Sequence, residues 1–321
     1  MAEDHPQIGE EPVCTFWPRV IQGALIAFFF VTVGLIAHYY YTVQPADDLQ
    51  AEVQALSRQV EQLKQEQAMP AMVLNRYRNS ICYIFGVYQV GFPGHPPSFR
   101  ARISGSGFVV QGGLLATNRH VAEPWYGDAE ATALISKGAK PELEKLVAFF
   151  PGLSTPVDIV PLELSAQGDL AIVRIEGSKA AQIEALPFAD KTPPPGEVVA
   201  VIGYPMGILG MVAKSPQAVY ERLAFRHDDQ GAANELAALS LIRPSATYGH
   251  LGDVVGDKLI YDAPTAHGGS GGPVFNSQGQ VIGINEAYID GFSGGTLGIS
   301  VQALRPLIDA AQKKIASRPK L

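Results

Sequence analysis

Residues 266–273 read Ala266-His267-Gly268-Gly269-Ser270-Gly271-Gly272-Pro273, and the reading of this octet decides the fold. A serine between paired glycines can sit on a tight turn with its hydroxyl exposed. The same glycines let backbone N–H groups point at an oxygen that is gaining charge, as acyl transfer requires. The string also satisfies Gly-x-Ser-x-Gly, the strand-to-helix nucleophile turn of alternating α/β chains, which demands the order serine, acid, histidine. No histidine follows Ser270, so that architecture is excluded and any base lies upstream.

Seven histidines are present, and their contexts separate them. His5 and His38 fall in the N-terminal segment, His95 in a Gly-Pro loop, and His227 and His250 in polar stretches without apolar flanks. His267 belongs to the serine octet itself. His120, in Leu114-Leu115-Ala116-Thr117-Asn118-Arg119-His120-Val121-Ala122, follows an apolar strand directly and opens a short helical turn. An acid that orients an imidazole needs a buried, hydrogen-bonded setting. Asp169, at the mouth of the strand Leu170-Ala171-Ile172-Val173-Arg174, fits this better than its rival Asp158, which follows Thr155-Pro156-Val157 in what reads as an exposed turn.

Outward from these motifs, the apolar runs are short and bounded by Gly, Pro, Asn or Asp. Ile81–Val90, Gly107–Val110, Leu114–Thr117, Val198–Ile202, Leu259–Tyr261, Val274–Phe275 and Val281–Ile284 are examples. Strands at this density without alternating long helices predict an all-β sandwich or barrel architecture. Gly 33 and Pro 24 together approach a fifth of the 321 residues, in keeping with a turn-rich chain. Two stretches break the pattern: 215–241, read as a helical insertion, and Gln302–Ala316, read as an amphipathic C-terminal helix. In the insertion Ser215 and Pro216 read as the N-cap and first residue of a helix, and Asp228-Asp229-Gln230-Gly231 as its break. A net charge of −7 without a basic run excludes a nucleic-acid partner. Two cysteines, Cys14 and Cys82, exclude a disulfide scaffold, and without a Cys-x-x-Cys pair or a His-Glu-x-x-His string neither a metal nor another cofactor is expected.

The first 70 residues read differently. Val20–Val43 holds no formally charged residue and is long enough to cross a bilayer, with Trp17 before it and Tyr39, Tyr40 and Tyr41 near its far end as interfacial aromatics. The bulky tyrosines fit a cleaved signal peptide poorly. Arg19 precedes the span and the next basic residue is Arg58, so residues 1–19 are expected to be a cytoplasmic tail, with everything after the span periplasmic or extracellular and the two cysteines in different compartments. Asp47–Ala68 carries Leu49, Val53, Leu56, Val60 and Leu63 at spacings of 4, 3, 4, 3. This heptad seam predicts a coiled-coil stalk that pairs with a second copy, or else a lone spacer helix. Pro70 is expected to end it, leaving residues 72–321 as the catalytic unit.

The order His120, Asp169, Ser270, with Gly105-Ser106-Gly107-Phe108-Val109-Val110 before the histidine, resembles the chymotrypsin-like (trypsin-like) serine proteases. Thr117-Asn118-x-His120-Val121, Asp169-Leu170-Ala171, Gly203-Tyr204-Pro205 and Val281-Ile282-Gly283-Ile284-Asn285 are most similar to the protease domain of bacterial HtrA/Deg-type proteases. The resemblance runs from about Val73 to Ser317. It implies two six-stranded β-barrels flanking the active site, a His120–Asp169–Ser270 triad and an oxyanion hole from the N–H groups of Gly268 and Ser270. It further implies a specificity pocket walled by Pro264–His267, Ile284–Ala287 and Gly298–Ser300, with Pro264, His267, Ile284, Asn285, Glu286 and Ser300 as candidate contacts. None of these is an aspartate that would receive Lys or Arg, so small or medium apolar side chains are expected, unless His267 or Glu286 points inward. The sequence departs from the family in ending without a PDZ domain and in placing Gly269 before the serine, where an acid or asparagine is usual. That loop is therefore expected to be flexible, with conditional activity. The expected function is a membrane-anchored serine endopeptidase acting on extracytoplasmic proteins. The alternatives are a protease-fold binding or scaffold protein without useful turnover, or an esterase on the same fold.

Overall fold

The computed structural model describes residues 16–177, 183–288 and 295–317. The expected cytoplasmic tail as far as residue 15, with His5 and Cys14, and the last four residues lie outside the described residues. The chain divides into two compact units, Met1–Lys64 and Gln65–Leu321.

In the first unit, α1 (Phe16–His38) runs into a five-residue π-helical stretch, Tyr39–Val43. Trp17–Thr42 is a 26-residue segment of mean hydropathy 2.4, none of it buried, and is long and apolar enough to cross a membrane. The helix α2 (Gln44–Tyr77) follows. Its seam residues Leu49, Val53, Leu56, Val60 and Leu63 are all 49–61% exposed.

Contrary to expectation, α2 does not end at Pro70 but carries it internally and continues to Tyr77. Interior proline costs a helix about 3 kcal/mol. Burial outweighs that cost here: Met69, Val73 and Tyr77, one turn apart on one face, are each at most 5% exposed, and each such side chain contributes about 1.5–3 kcal/mol. Tyr77 stacks on Phe275 with ring centroids 5.7 Å apart. These residues lie within the second unit, which therefore begins earlier than the sequence suggests.

The second unit consists of two closed antiparallel barrels. The first comprises β1 (Ile81–Gly91), β2 (Phe99–Val110), β3 (Leu114–Thr117), β4 (Lys140–Phe149), β5 (Val157–Leu164) and β6 (Ala171–Ile175), in the order β1-β2-β3-β6-β5-β4. Two short helices, α3 (Arg119–Ala122) and α4 (Ala129–Ser136), follow β3. Cys82 is fully buried on β1, and burial pushes its thiol pKa far up. The second barrel begins with β7 (Val198–Gly203). Three helices come next: α5 (Gly207–Ala213), α6 (Gln217–Leu223) and α7 (Asp229–Ala238). Then β8 (Ser245–Val255), β9 (Lys258–Tyr261), β10 (Pro273–Phe275), β11 (Val281–Tyr288) and β12 (Thr296–Ser300) close it as β10-β11-β12-β9-β8-β7.

The helical insertion differs from expectation in three respects. It begins with α5. Pro216, not Ser215, holds the N-cap position of α6, because the Ser215 hydroxyl is committed backwards to the Met211 carbonyl at 2.9 Å. Asp228, read as a breaker, caps α7 by accepting the Gly231 N–H at 2.8 Å. Leu223, Ala232, Ala233, Leu236 and Ala237 are buried in the largest core cluster, so these helices are part of the core. The C-terminal helix α8 (Val301–Ala316) buries Val301, Leu304, Ile308 and Ala311, a stripe with a helical period.

The Tyr83 ring of β1 lies 6.0 Å from Phe149 within the first barrel and, across the seam between the barrels, 5.8 Å from Tyr204. The Tyr204 hydroxyl donates to the Ile81 carbonyl at 3.0 Å. This contact fixes the strand ends of one barrel against the loops of the other, where the motifs lie.

Candidate active site

His120 is the second residue of α3, just after β3, and Asp169 lies two residues before β6, the strand that pairs with β3. The pairing of Thr117 with Ala171 thus sets the two side chains beside each other. The Asp169 carboxylate takes two polar groups of His120: the backbone N–H at 2.8 Å through Oδ1 and Nδ1 at 2.5 Å through Oδ2. An ionised carboxylate accepts only, so the Nδ1 proton is on the ring and Nε2 is the basic nitrogen. Asn118 holds this acid from behind, donating through Nδ2 to the Asp169 carbonyl at 2.7 Å. Arg119 ties α3 to Ser165 O at 2.8 Å and to Glu123 at 2.6 Å. Asp158 is exposed on β5, paired with Val147.

The serine loop connects β9 to β10. Gly268 (φ +88°) and Gly271 (φ +87°) occupy the left-handed region, and neither tolerates a Cβ. At Gly268 it would lie 2.6 Å from the Tyr204 carbonyl, and at Gly271 it would strike the Ser106 carbonyl. The loop is pinned rather than loose. The N–H of Met206, itself left-handed at φ 63°, donates to the His267 carbonyl at 2.6 Å. Because the peptide is planar and trans, the Gly268 N–H points the opposite way. Neither that N–H nor that of Ser270 has a hydrogen-bond partner among the described residues. Two unpartnered donors flanking Gly269 can receive an oxyanion.

Ser106, to which sequence reasoning assigned no role, clamps this loop from the other barrel. Its N–H donates to the Ser270 carbonyl at 2.7 Å, and its hydroxyl donates to the Gly268 carbonyl at 2.7 Å while accepting the Tyr204 N–H at 2.9 Å. Thr117 Oγ1 donates to the Ser106 carbonyl at 2.7 Å, and both residues are fully buried. The signal in the sequence was a small polar residue between two glycines at the start of an apolar run. The Ser270 hydroxyl donates to the Glu286 carbonyl at 3.0 Å and makes no hydrogen bond to His120. A rotation about its χ1 separates this resting geometry from an attacking one.

The candidate specificity residues are dispersed. Asn285 is buried, with Tyr261 Oη donating to its Oδ1 at 2.8 Å and its Nδ2 donating to Thr265 Oγ1 at 3.2 Å. Ser300 caps α8 by accepting the Gln302 N–H at 3.3 Å. Ile284 is buried in the core, while Pro264 and His267 are exposed. Of the six, Glu286 alone lines the cleft of about 960 Å³ that also takes in His120 and Asp169. No group of three or more His, Cys, Asp or Glu side chains able to hold a metal is found among the described residues.

Comparison with known proteins adds to this geometry. Residues 105–284, just over half of the chain, match the family described as trypsin-like peptidase domain. A Synechocystis protein named as serine protease HhoA is 26% identical over 290 residues, covering 84% of this chain and 63% of the relative. A Brucella suis protein named as a DegP-like periplasmic serine endoprotease is 28% identical over 209 residues, covering 65% of this chain and 31% of the relative. The chain thus spans less than two thirds of either relative. Among solved structures, the serine endoprotease from Yersinia pestis superimposes with a TM-score of 0.48 at 18% identity, over 76% of this chain and 66% of that one.

Proposed function

Because the chain belongs to the trypsin-like peptidase family, we propose that it is a serine endopeptidase using His120, Asp169 and Ser270. The observation that carries this reading is the two-point hold of Asp169 on His120. It leaves Nε2 free to take the Ser270 proton as Oγ attacks a substrate carbonyl. The imidazolium that forms lies against the Asp169 carboxylate. The tetrahedral oxyanion is received by the N–H groups of Gly268 and Ser270, and His120 then returns the proton to the leaving amine. Water repeats the sequence on the acyl-enzyme.

In this proposal Val20–Val43 is a retained anchor, residues 1–19 are cytoplasmic, and the protease unit faces the periplasm or exterior, where it cuts proteins. The apolarity of Trp17–Thr42 and the name of the Brucella relative support this part. The test is labelling of the full chain with a biotinylated fluorophosphonate. Wild type is expected to react at Ser270 and to cleave unfolded protein. Ser270→Ala is expected to do neither, with turnover reduced by several orders of magnitude. Equal cleavage by the variant would overturn the assignment.

A further inference from the structure

Glu286 follows Asn285 on β11, yet the two side chains are aimed differently. Asn285 turns into the second barrel, held by Tyr261 and Thr265. The ladder to β12 pairs Asn285 with Gly298 and Ala287 with Leu297, which makes Glu286 the extra residue of a β-bulge. Bulges re-aim side chains beside active sites, and this one directs a half-buried carboxylate into the cleft that holds His120 and Asp169. Among the described residues, that carboxylate has neither a hydrogen bond nor an ion pair.

The other charges of the cleft answer it only in part: His120 and Lys258 favour its ionised form, but less than burial and Asp169 oppose it. Asp169 is committed to His120, and Asp128 accepts the Ala131 N–H and the Tyr88 hydroxyl. Asp257 adds a further carboxylate, and the lone ammonium, Lys258, is exposed and not within ion-pair distance of Glu286. The cleft is therefore acidic and holds one carboxylate without a partner.

We propose that Glu286 is a specificity-determining residue that receives a lysine or arginine side chain of the substrate. The Glu286 carbonyl touches the Ser270 hydroxyl itself, so a side chain reaching this carboxylate comes from within about three residues of the cut bond. Burial and the nearby Asp169 both disfavour its ionised form and raise its pKa. An incoming cation relieves both penalties, which is where charge pairing discriminates most between substrates. The expected small or medium apolar selectivity carried the exception of an inward-pointing Glu286, and a basic preference beside the scissile bond is the form this proposal gives that exception. This inference rests on the peptidase reading above.

The test is cleavage of a random peptide library by the full chain in detergent micelles, with the cut sites mapped by mass spectrometry. Wild type is expected to enrich Lys and Arg roughly tenfold at one position within three residues of the cut. Glu286→Gln is expected to lose that enrichment, and Glu286→Lys to replace it with Asp and Glu. A library cut without basic enrichment, or with equal enrichment in Glu286→Gln, overturns the proposal and leaves the peptidase reading standing. An uncut library together with failed fluorophosphonate labelling overturns both. Thermal unfolding shows whether each variant is folded; should the lysine variant be unfolded, the glutamine variant decides.

Discussion

Ser106 shows how much of the site depends on one buried hydroxyl. Replacing it with alanine orphans the Gly268 carbonyl and the Tyr204 N–H, each fully buried or nearly so, at about 1–3 kcal/mol per group. Ser106→Ala is therefore expected to lower the melting temperature. It is also expected to cut kcat roughly 10–100-fold with KM little changed, because the oxyanion donors drift while the cleft stays. Steady-state kinetics and a thermal melt check both parts. Glu286 offers a second test at this scale. Its pKa is raised above the ordinary carboxylate value by burial and by Asp169, so the folded state holds its proton more tightly than the unfolded chain. Stability is then greatest below the ordinary value and falls as pH rises toward the raised one. Glu286→Gln is expected to melt higher than wild type at pH 7.5 and to lose that advantage below about pH 4. At the residue scale the immediate flanks singled out His120, Asp169 and Ser270 as candidates, and the structure sets the first two side chains in contact. Ser106 was not legible in the same way: it bonds to a residue 162 positions away, and local context carries no trace of such a partner.

Among the elements, the strands most readable in the sequence were those buried on both faces, such as β1 and β6. β4 begins as Lys140-Pro141-Glu142-Leu143-Glu144-Lys145, alternating exposed and half-buried before its apolar end, and β8 is polar over most of its length. Both are strands because a closed barrel pairs them, not because of their own composition. The helices after β7 were legible as helices but not as core, since their alanines read equally well as surface. Their burial leads to a firm expectation. Leu236, fully buried on α7, should cost about 2–5 kcal/mol when changed to alanine, measured by denaturant unfolding. Excising the segment should unfold the second barrel rather than merely alter its regulation.

At the scale of the whole molecule, the seam from Leu49 to Leu63 leaves five apolar side chains exposed along α2. Its heptad spacing suits a second copy of the same helix. Leu56→Asp, which places an unpaired charge in that seam, is expected to reduce the sedimentation coefficient of the detergent-solubilised chain to that of a single copy. An unchanged coefficient would leave α2 as a spacer. Turn density and strand length made an all-β sandwich or barrel legible, whereas the choice of two six-stranded barrels came from the family resemblance of the motifs. The run of α2 past Pro70 was not legible, because it depends on what Met69, Val73 and Tyr77 find in the folded core.

Ser106 belongs to a strand of the first barrel, whereas the loop it holds belongs to the second. The proposed nucleophile therefore borrows its geometry from a sheet it is not part of. Separated halves of the chain, each with a complete barrel, would each lack a working reagent, and hydrolysis would return only as far as the halves re-docked. Under the proposed mechanism turnover is a gauge of barrel association, and loosening the seam is expected to lower hydrolysis while both sheets remain intact.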